Sequence, residues 1–495
     1  MHQDHDFDLR REAPVNGREL VQDLELGTLF EAMSGGDNFL QQVAEAALLS
    51  NLPTPAEICY RQAILDDCLH QQAAVRELYD LAVAAIVGEK GIYRSFLSDR
   101  AEPLLSRSVN VLNMLVGMLR RLRRIADQYA TAFTSEGFRR FFDMLDRELD
   151  DDYFVLIDHH LKELRFRGGV LISARLDQGN RGAGYVLRTP NQDNRGFLNR
   201  PAVKKPSYSM TIPDRDEAGF RSLTELRDHG LSLVANAAAQ SADHVLNFFV
   251  ALRSELAFYV GSLNLNEQLA GNGEPICFPS PRPAEERALT ARALYEPCLS
   301  LHLHQRTTGN DLDADDTSLI MITGANQGGK STFLRSLGVA QLMMQCGMFV
   351  AAEAFSASVS PGVFTHYKRE EDTTMASGKL AEELSRMSDI ADHVTPDCLL
   401  LCNESIAATN EREGSEIARE VIQAMIDGGA RVYFVTHLYD LADSLYRRHL
   451  DTALFLRAER QHGGRRTYRL TQGQPLPTSY GQDLYNRIFG SGNQL

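Results

Sequence analysis

The sequence predicts an α/β P-loop domain at the C-terminus, preceded by a mainly α-helical core and lever domain that carries a small β-hairpin element. Three observations carry this prediction. Apolar residues recur at three- and four-residue steps over much of the first half. A proline-containing stretch from Gly271 to Arg287, with Pro275, Pro279, Pro281 and Pro283, breaks that pattern. Beyond it, strand-like runs alternate with helical ones, the sign of a mostly parallel sheet flanked by helices.

Taken in order, residues 1–162 form the first part of the helical domain. Between Leu104 and Ala126, Leu105, Val109, Leu112, Leu115, Leu119, Leu122 and Ala126 mark one buried stripe of a long helix. Arg120, Arg121, Arg123 and Arg124 lie off that stripe, where a solvated face with acidic partners is expected. Residues 163–210 change character. Gly168–Ala174 and Tyr185–Thr189 are rich in Val, Ile, Leu and Tyr, and the turn residues Asp177 to Gly182 between them predict a β-hairpin insertion. Between Glu163 and Lys205 stand nine Lys or Arg against three acidic residues. Arg165, Arg167, Arg175, Arg181, Arg188 and Arg195 are therefore the candidates for touching nucleic-acid phosphates. Pairing with the acidic remainder of the same chain is the structural alternative. Residues 211–272 return to a helical pattern, and residues 273–495 form the α/β domain.

Within that domain, the apolar run Leu319 to Ile322 is followed by Gly324, four residues, then Gly329-Lys330-Ser331 and a helical pattern. This is the spacing of a phosphate-binding loop in its strand-loop-helix setting. Gly324, Gly328 and Gly329 let the backbone turn so that N–H groups converge on phosphate oxygens, and the helix N-terminus aims its positive end there. Lys330 would reach the β- and γ-phosphates of ATP, and Ser331 would offer its hydroxyl to Mg²⁺.

A nucleotide hydrolase also needs a carboxylate near Mg²⁺, a group that activates water and a sensor of the terminal phosphate. Cys398 to Cys402 reads as a buried strand ending in Asn403-Glu404, and Val432 to Thr436 as another ending in His437. Glu404 is the candidate general base and His437 the candidate sensor. Asn403 stands at the magnesium position, able to accept from a metal-bound water while bringing no charge, so weak Mg²⁺ binding and slow hydrolysis are expected. The stretch Thr373 to Asp389 predicts a Ser-Gly turn opening an amphipathic helix with Leu380, Leu384 and Met387 on one face.

Over 495 residues the hydrophobic content is 43% and the charged content 24%, the composition of an ordinary globular protein of two or three domains. A formal net charge of -15 excludes indiscriminate nucleic-acid binding by the whole surface and confines any such contact to a local basic patch. Seven scattered cysteines without a C-x-x-C pair suggest neither a disulfide framework nor a zinc site. No run approaches the length of a spanning helix and no signal peptide opens the chain, which predicts a cytoplasmic protein with no membrane partner.

At this point the chain resembles the MutS family of DNA mismatch-repair ATPases. The loop TGANQGGKST, Thr323 to Thr332, is similar to that family's TGPNMGGKST, including Asn326. YKREEDTTMASGKLAEEL falls where the family has a Ser-containing signature helix, here Ser377. LLLCNESIAATNEREG, ending at Gly414, aligns without gaps to its strand, acidic pair and D-loop, and FVTH corresponds to its F-A-T-H. Tyr468-Arg-Leu and Ser479-Tyr480-Gly481 are also similar.

The resemblance is specific from about Ser318 to Tyr446 and weaker upstream. It implies an ABC-type ATPase domain binding ATP and Mg²⁺ through Gly324, Asn326, Gly328, Gly329, Lys330, Ser331, Thr332 and Asn403. It also implies a homodimer with composite sites, Ser377 acting in trans, and levers that carry nucleotide state to a DNA-holding region. The chain departs from the family at Asn403, where the family usually has Asp. It departs also at its front, where core-like helices begin almost immediately and no mismatch-reading motif is visible.

Two functional readings follow. The first is a dimeric ATPase of DNA repair or DNA-structure recognition, coupling ATP-dependent closure to DNA binding without a mismatch-reading domain. The second is a nucleotide-switched scaffold or partner-binding protein with vestigial hydrolysis and no DNA ligand. A kinase or transporter ATPase fits poorly, because neither a substrate-phosphate pocket nor a coupling segment is apparent.

Overall fold

The structure is a computed structural model, and it describes residues 1–11, 13–92, 100–179, 182–188, 208–325, 327–369, 378–461 and 466–477. The chain divides into two compact units: Met1–Val75 with Phe133–Phe138 and Ser254–Leu495, and Arg76–Ala132 with Arg139–Arg253.

Helices dominate the front of the chain: α1 (Gly17–Asp23), α2 (Leu26–Ser34), α3 (Asn38–Leu49), α4 (Pro55–His70) and α5 (Gln72–Gly91). The start of α4 is fixed by sequence chemistry, since Thr54 and Glu57 form a reciprocal capping box and Pro55 occupies the first turn. Asp67 at the far end of α4 accepts from the backbone N–H groups of Thr134 and Ser135, which ties the short 133–138 segment into the first unit.

The second unit is built on α6 (Ala101–Tyr129), α7 (Glu136–Glu148) and α8 (Asp151–Glu163). All seven residues of the expected α6 stripe, Leu105 through Ala126, are buried. Arg120 and Arg123, off that stripe, have the acidic company expected of them. Arg120 pairs with Asp158 at 2.7 Å, and Arg123 pairs with Asp127 and Asp146 at 2.7 Å each.

A hairpin follows, β1 (Leu171–Leu176) paired antiparallel with β2 (Gly182–Arg188). Its strands are displaced from the expected Gly168–Ala174 and Tyr185–Thr189. Phe166 and Gly169 have positive φ (44° and 91°), so the chain is still turning at Gly168 and extends only from Leu171. The hairpin packs on α9 (Glu217–Gly271), where Tyr185 stacks on His229 with ring centroids 5.2 Å apart. Gly230 lies so close to Ile172 that a Cβ there would stand 2.3 Å from its Cδ1. Residues of both units belong to α9, a single helix of 55 residues.

The α/β part contains β3 (Ser280–Arg282), β4 (Leu289–Leu294), α10 (Pro297–Leu303), β5 (Asn310–Asp313), β6 (Leu319–Thr323), α11 (Lys330–Gln345), β7 (Ala354–Ser358) and β8 (Val363–Tyr367). It continues through α12 (Lys379–Ala391), β9 (Leu399–Asn403), α13 (Glu411–Asp427), β10 (Arg431–Val435), α14 (Tyr439–Tyr446), β11 (Ala453–Arg460) and β12 (Arg466–Gln472). Six strands form one sheet in the order β12-β11-β6-β10-β9-β8, parallel throughout except for the antiparallel β11·β12 pair. A second sheet has the order β3-β7-β4-β5.

Helices cover the larger sheet, so β6, β8 and β10 are buried at every position; β6 reads as an apolar run for that reason, while β8 buries Thr365 and His366 and β10 buries Arg431 among their apolar residues. The buried helix α11 crosses beneath β9. There Gly338 leaves room for Leu401 and Leu24, whose side chains would stand 2.6 Å and 2.9 Å from a Cβ. Asn310 joins the two sheets: its amide donates to the Tyr468 carbonyl at 3.2 Å and its oxygen accepts from Leu470 N–H at 2.8 Å. Among the described residues no helix is long and apolar enough to cross a membrane.

Candidate nucleotide site

The site forms where three parallel strands end together. Val435 of β10 stands opposite Ile322 of β6 on one side and Asn403 of β9 on the other, so the residues that follow each strand emerge side by side. Ligands of open α/β sheets bind at this edge, beyond the carboxyl ends of the strands.

The loop after β6 is shaped by what crowds it. Gly324 and Gly329 have φ of 111° and 88°, a region that L side chains rarely adopt. Gly328 has another reason to lack a side chain, since a Cβ there would lie 2.6 Å from the Cβ of Ala458 and 2.8 Å from the Ala325 carbonyl. Helix α11 begins at Lys330, and Gly329 before it offers no side chain to cap the first N–H groups. Asn326 lies outside the described residues.

Lys330 is 5% exposed, and its ammonium donates to the carbonyls of Gly324 (3.1 Å) and Ala325 (3.0 Å). Burial lowers its pKa to about 8, against an opposing pull from Glu404 and with a further push from Arg466. Next to it, the Ser331 hydroxyl donates to Asn403 Oδ1 at 2.8 Å, bringing these two expected partners together. Thr332 borders a cavity of about 470 Å³ beside the start of α11, lined also by Gly329, Phe333, Thr308, Glu296 and Tyr468.

Glu404 and His437 also meet. His437 Nε2 donates to Glu404 Oε1 at 2.6 Å, and the two side chains are 30% and 31% exposed. The hydrogen bond from His437, helped by the charges of Lys330 and Lys368, holds the Glu404 carboxyl below its ordinary pKa despite partial burial. Glu404 has φ of 53° and its N–H donates to the Val435 carbonyl, so the turn that aims its side chain is anchored on the neighbouring strand.

The donors near Lys330 suit a nucleotide-borne cation only in part. Ser331 and Asn403 supply two adjacent neutral oxygens, and Glu404 is the carboxylate in this neighbourhood. Among the described residues no cluster of three or more His, Cys, Asp or Glu could hold a metal alone. Magnesium would therefore have to take its charge complement from phosphate oxygens.

Other expected residues lie elsewhere. Ser377 is outside the described residues, and α12 starts just after it at Lys379. The helix buries Met387 as expected, with Leu380 packed against the core. It also buries Glu383, which three residues after Leu380 and four before Met387 falls on the same face. Arg165, Arg167, Arg175 and Arg188 are exposed residues of the second unit, and Arg188 Nε donates across the hairpin to Ser173 Oγ at 2.9 Å. Arg181 and Arg195 are outside the described residues.

Sequence reasoning gave several contributors no role at the site. Tyr468 and Ala458 crowd the glycine loop, Asn310 fixes the strand carrying Tyr468, and Arg466 pushes on Lys330. Tyr468 is marked in the sequence by the Tyr468-Arg-Leu resemblance alone; for the others the signal is spatial, because β11 and β12 reach the loop through sheet pairing and β5 through the Asn310 side chain.

Comparison with known proteins adds an independent line. The MutS2 N-terminal domain family matches residues 54–272, and MutS domain V matches residues 320–486. The chain is 24% identical over 376 residues to the DNA mismatch repair protein MutS of Streptococcus equi subsp. equi, covering 72% of this chain and 42% of that one. It is 26% identical over 292 residues to the DNA mismatch repair protein MutS of Lactobacillus acidophilus, covering 53% of this chain and 32% of the relative. MutS protein homolog 4 of Mus musculus is 25% identical over 267 residues, covering 52% of this chain and 26% of its own. The chain thus spans well under half the length of these relatives.

Proposed function

The chain belongs to the MutS family, and from that premise we propose that it is an ATP-binding ATPase that couples nucleotide-dependent closure of a homodimer to gripping DNA. The observation that carries this reading is the convergence of Lys330, the Ser331–Asn403 pair and the Glu404–His437 pair at one sheet edge. Lys330 exchanges its loop carbonyls for the β- and γ-phosphates, and N–H groups at the start of α11 take further oxygens. Thr332 and the neighbouring cavity receive the rest of the nucleotide. Magnesium, held by Ser331 and through water by Asn403, would spread the phosphate charge.

Glu404 orients and deprotonates the attacking water, while His437 reports the terminal phosphate. Ser377 reaches the nucleotide of a second copy. Residues 1–162 and 211–272 serve as core and lever, with 163–210 as the basic insertion. The exposed arginines of that insertion contact DNA phosphates. Such contacts position without reading bases, so the ligand is recognised by structure, in DNA repair or a related task.

Two variants test the assignment together. Lys330→Ala should bring ATP affinity below detection, and Glu404→Gln should keep ATP affinity while turnover falls by roughly 100-fold. Wild-type affinity in Lys330→Ala would remove the central assignment. Equal turnover in wild type and Glu404→Gln would favour the second reading, a nucleotide-switched scaffold without a DNA ligand. The neutral Asn403 and the net charge of -15 support that alternative.

A further inference from the structure

The sheet edge that gathers the nucleotide groups has a further strand end, and the reaction as proposed does not use it. β8 pairs parallel with β9, Tyr367 stands opposite Asn403, and Lys368 N–H donates to the Asn403 carbonyl at 3.0 Å. Lys368 therefore leaves β8 level with the point where Glu404 leaves β9.

Pleating decides which way Lys368 faces. Side chains two apart on a strand share a face, so Lys368 lies on the side of His366. The His366 ring is 2.8 Å from the hydroxyl of Ser405, the residue after Glu404, and 3.0 Å from the Glu383 carbonyl of α12. Lys368 is thus one step beyond that ring toward the carboxyl ends of the strands, beside the turn that carries Glu404. Electrostatics agree with this placement. The Glu404 carboxyl, held down first by the hydrogen bond from His437, is lowered further by the charges of Lys330 and Lys368. Burial raises the Glu383 carboxyl, and the Ala408 N–H and the charge of Lys368 pull it back in part. The next residue, Arg369, is committed elsewhere, with Nη2 3.9 Å from Glu19 Oε1 of α1. Lys368 itself is exposed and open to a ligand.

The sheet order β6-β10-β9-β8 puts the strand leading to Lys330 on one side of β9 and the strand leading to Lys368 on the other. Glu404, at the end of β9, is bracketed by two lysines. A phosphate under attack by water activated at Glu404 lies beside that carboxylate, and so between them.

We propose that Lys368 is a substrate-contacting residue whose ammonium binds the terminal phosphate of ATP across from Lys330. The proposal rests on the reading of Glu404 as the group that activates water. It makes the site a discriminator between triphosphate and diphosphate, since Lys330 serves both through the β-phosphate while Lys368 has a partner only in the triphosphate. With Asn403 bringing no charge toward magnesium, part of the positive charge at the terminal phosphate then comes from the protein.

Calorimetric titration of the full chain with AMP-PNP and with ADP, both in the presence of Mg²⁺, tests this on Lys368→Met and Lys368→Arg. The side chain is exposed, so its replacement leaves the core intact. Lys368→Met should lose about tenfold in affinity for AMP-PNP and stay within about twofold of wild type for ADP, because only the triphosphate loses a charged contact. Lys368→Arg keeps the charge and should bind AMP-PNP within about threefold of wild type. An unchanged preference for AMP-PNP over ADP in Lys368→Met would overturn the proposal, whether both affinities stayed at wild type or fell together. Lys330→Ala, titrated alongside, separates the two levels of the argument. Loss of both nucleotides there, with an unchanged preference in Lys368→Met, sinks the role of Lys368 alone; wild-type affinity there removes the nucleotide site itself and this contact with it.

Discussion

At the scale of single residues, the site is governed by how its charges are compensated. Lys330 already has two carbonyl partners and a pKa of about 8, with burial as the main cause. A lowered pKa means the ammonium is present below about 8 and lost as pH rises through that value. If phosphates bind the protonated form, ATP affinity should hold steady at neutral pH and fall above about pH 8, approaching tenfold per pH unit for one proton. Titrating ATP binding from about pH 7 to about pH 10 checks this, and a flat profile would contradict it. Asn403 poses the complementary test. Restoring a carboxylate with Asn403→Asp should lower the Mg²⁺ concentration needed for half-maximal ATPase activity and raise turnover, read from a magnesium titration of the rate. An unchanged midpoint would mean the side chain at this position takes no part in holding the cation.

At the scale of elements, legibility followed how local the determining residues are. The β6 strand, its glycine loop and α11 were readable because one continuous stretch contains the whole pattern, and α9 was readable from periodicity alone. The hairpin was seen but misplaced, since the positive φ at Phe166 and Gly169 delays its first strand. The sheet β3-β7-β4-β5 left little trace, because its strands are three to six residues long and β3 contains Pro281. Nor could it be read that the buried His366 ring lies against the Ser405 hydroxyl and the Glu383 carbonyl, as the three belong to different segments. Helix α11 offers a test of packing at this scale. Gly338→Val would force a branched side chain against Leu401 and Leu24, and should destabilise the fold by about 1–3 kcal/mol in urea unfolding. Stability equal to wild type would mean those leucines have room to move aside.

At the scale of the whole molecule, the informative contrast is one of charge. The chain carries -15 overall, yet Arg165, Arg167, Arg175 and Arg188 are exposed on the second unit. Arg120 and Arg123 already have carboxylate partners there, which leaves the hairpin as the better candidate for phosphates. Arg175→Glu with Arg188→Glu should weaken DNA binding and reduce the slope of log affinity against log salt by about 2, one for each phosphate that is no longer neutralised. An unaltered slope would give the hairpin a structural role. Asn310 carries a consequence at this same scale. Its amide imitates a peptide group where no strand runs, giving the two sheets a seam one rung wide above the glycines of the loop. With Asp in its place the acceptor would survive and the donor would not, leaving two oxygens face to face at Tyr468. The roof over the glycine loop would then lift at that rung, although every residue of the loop itself was intact.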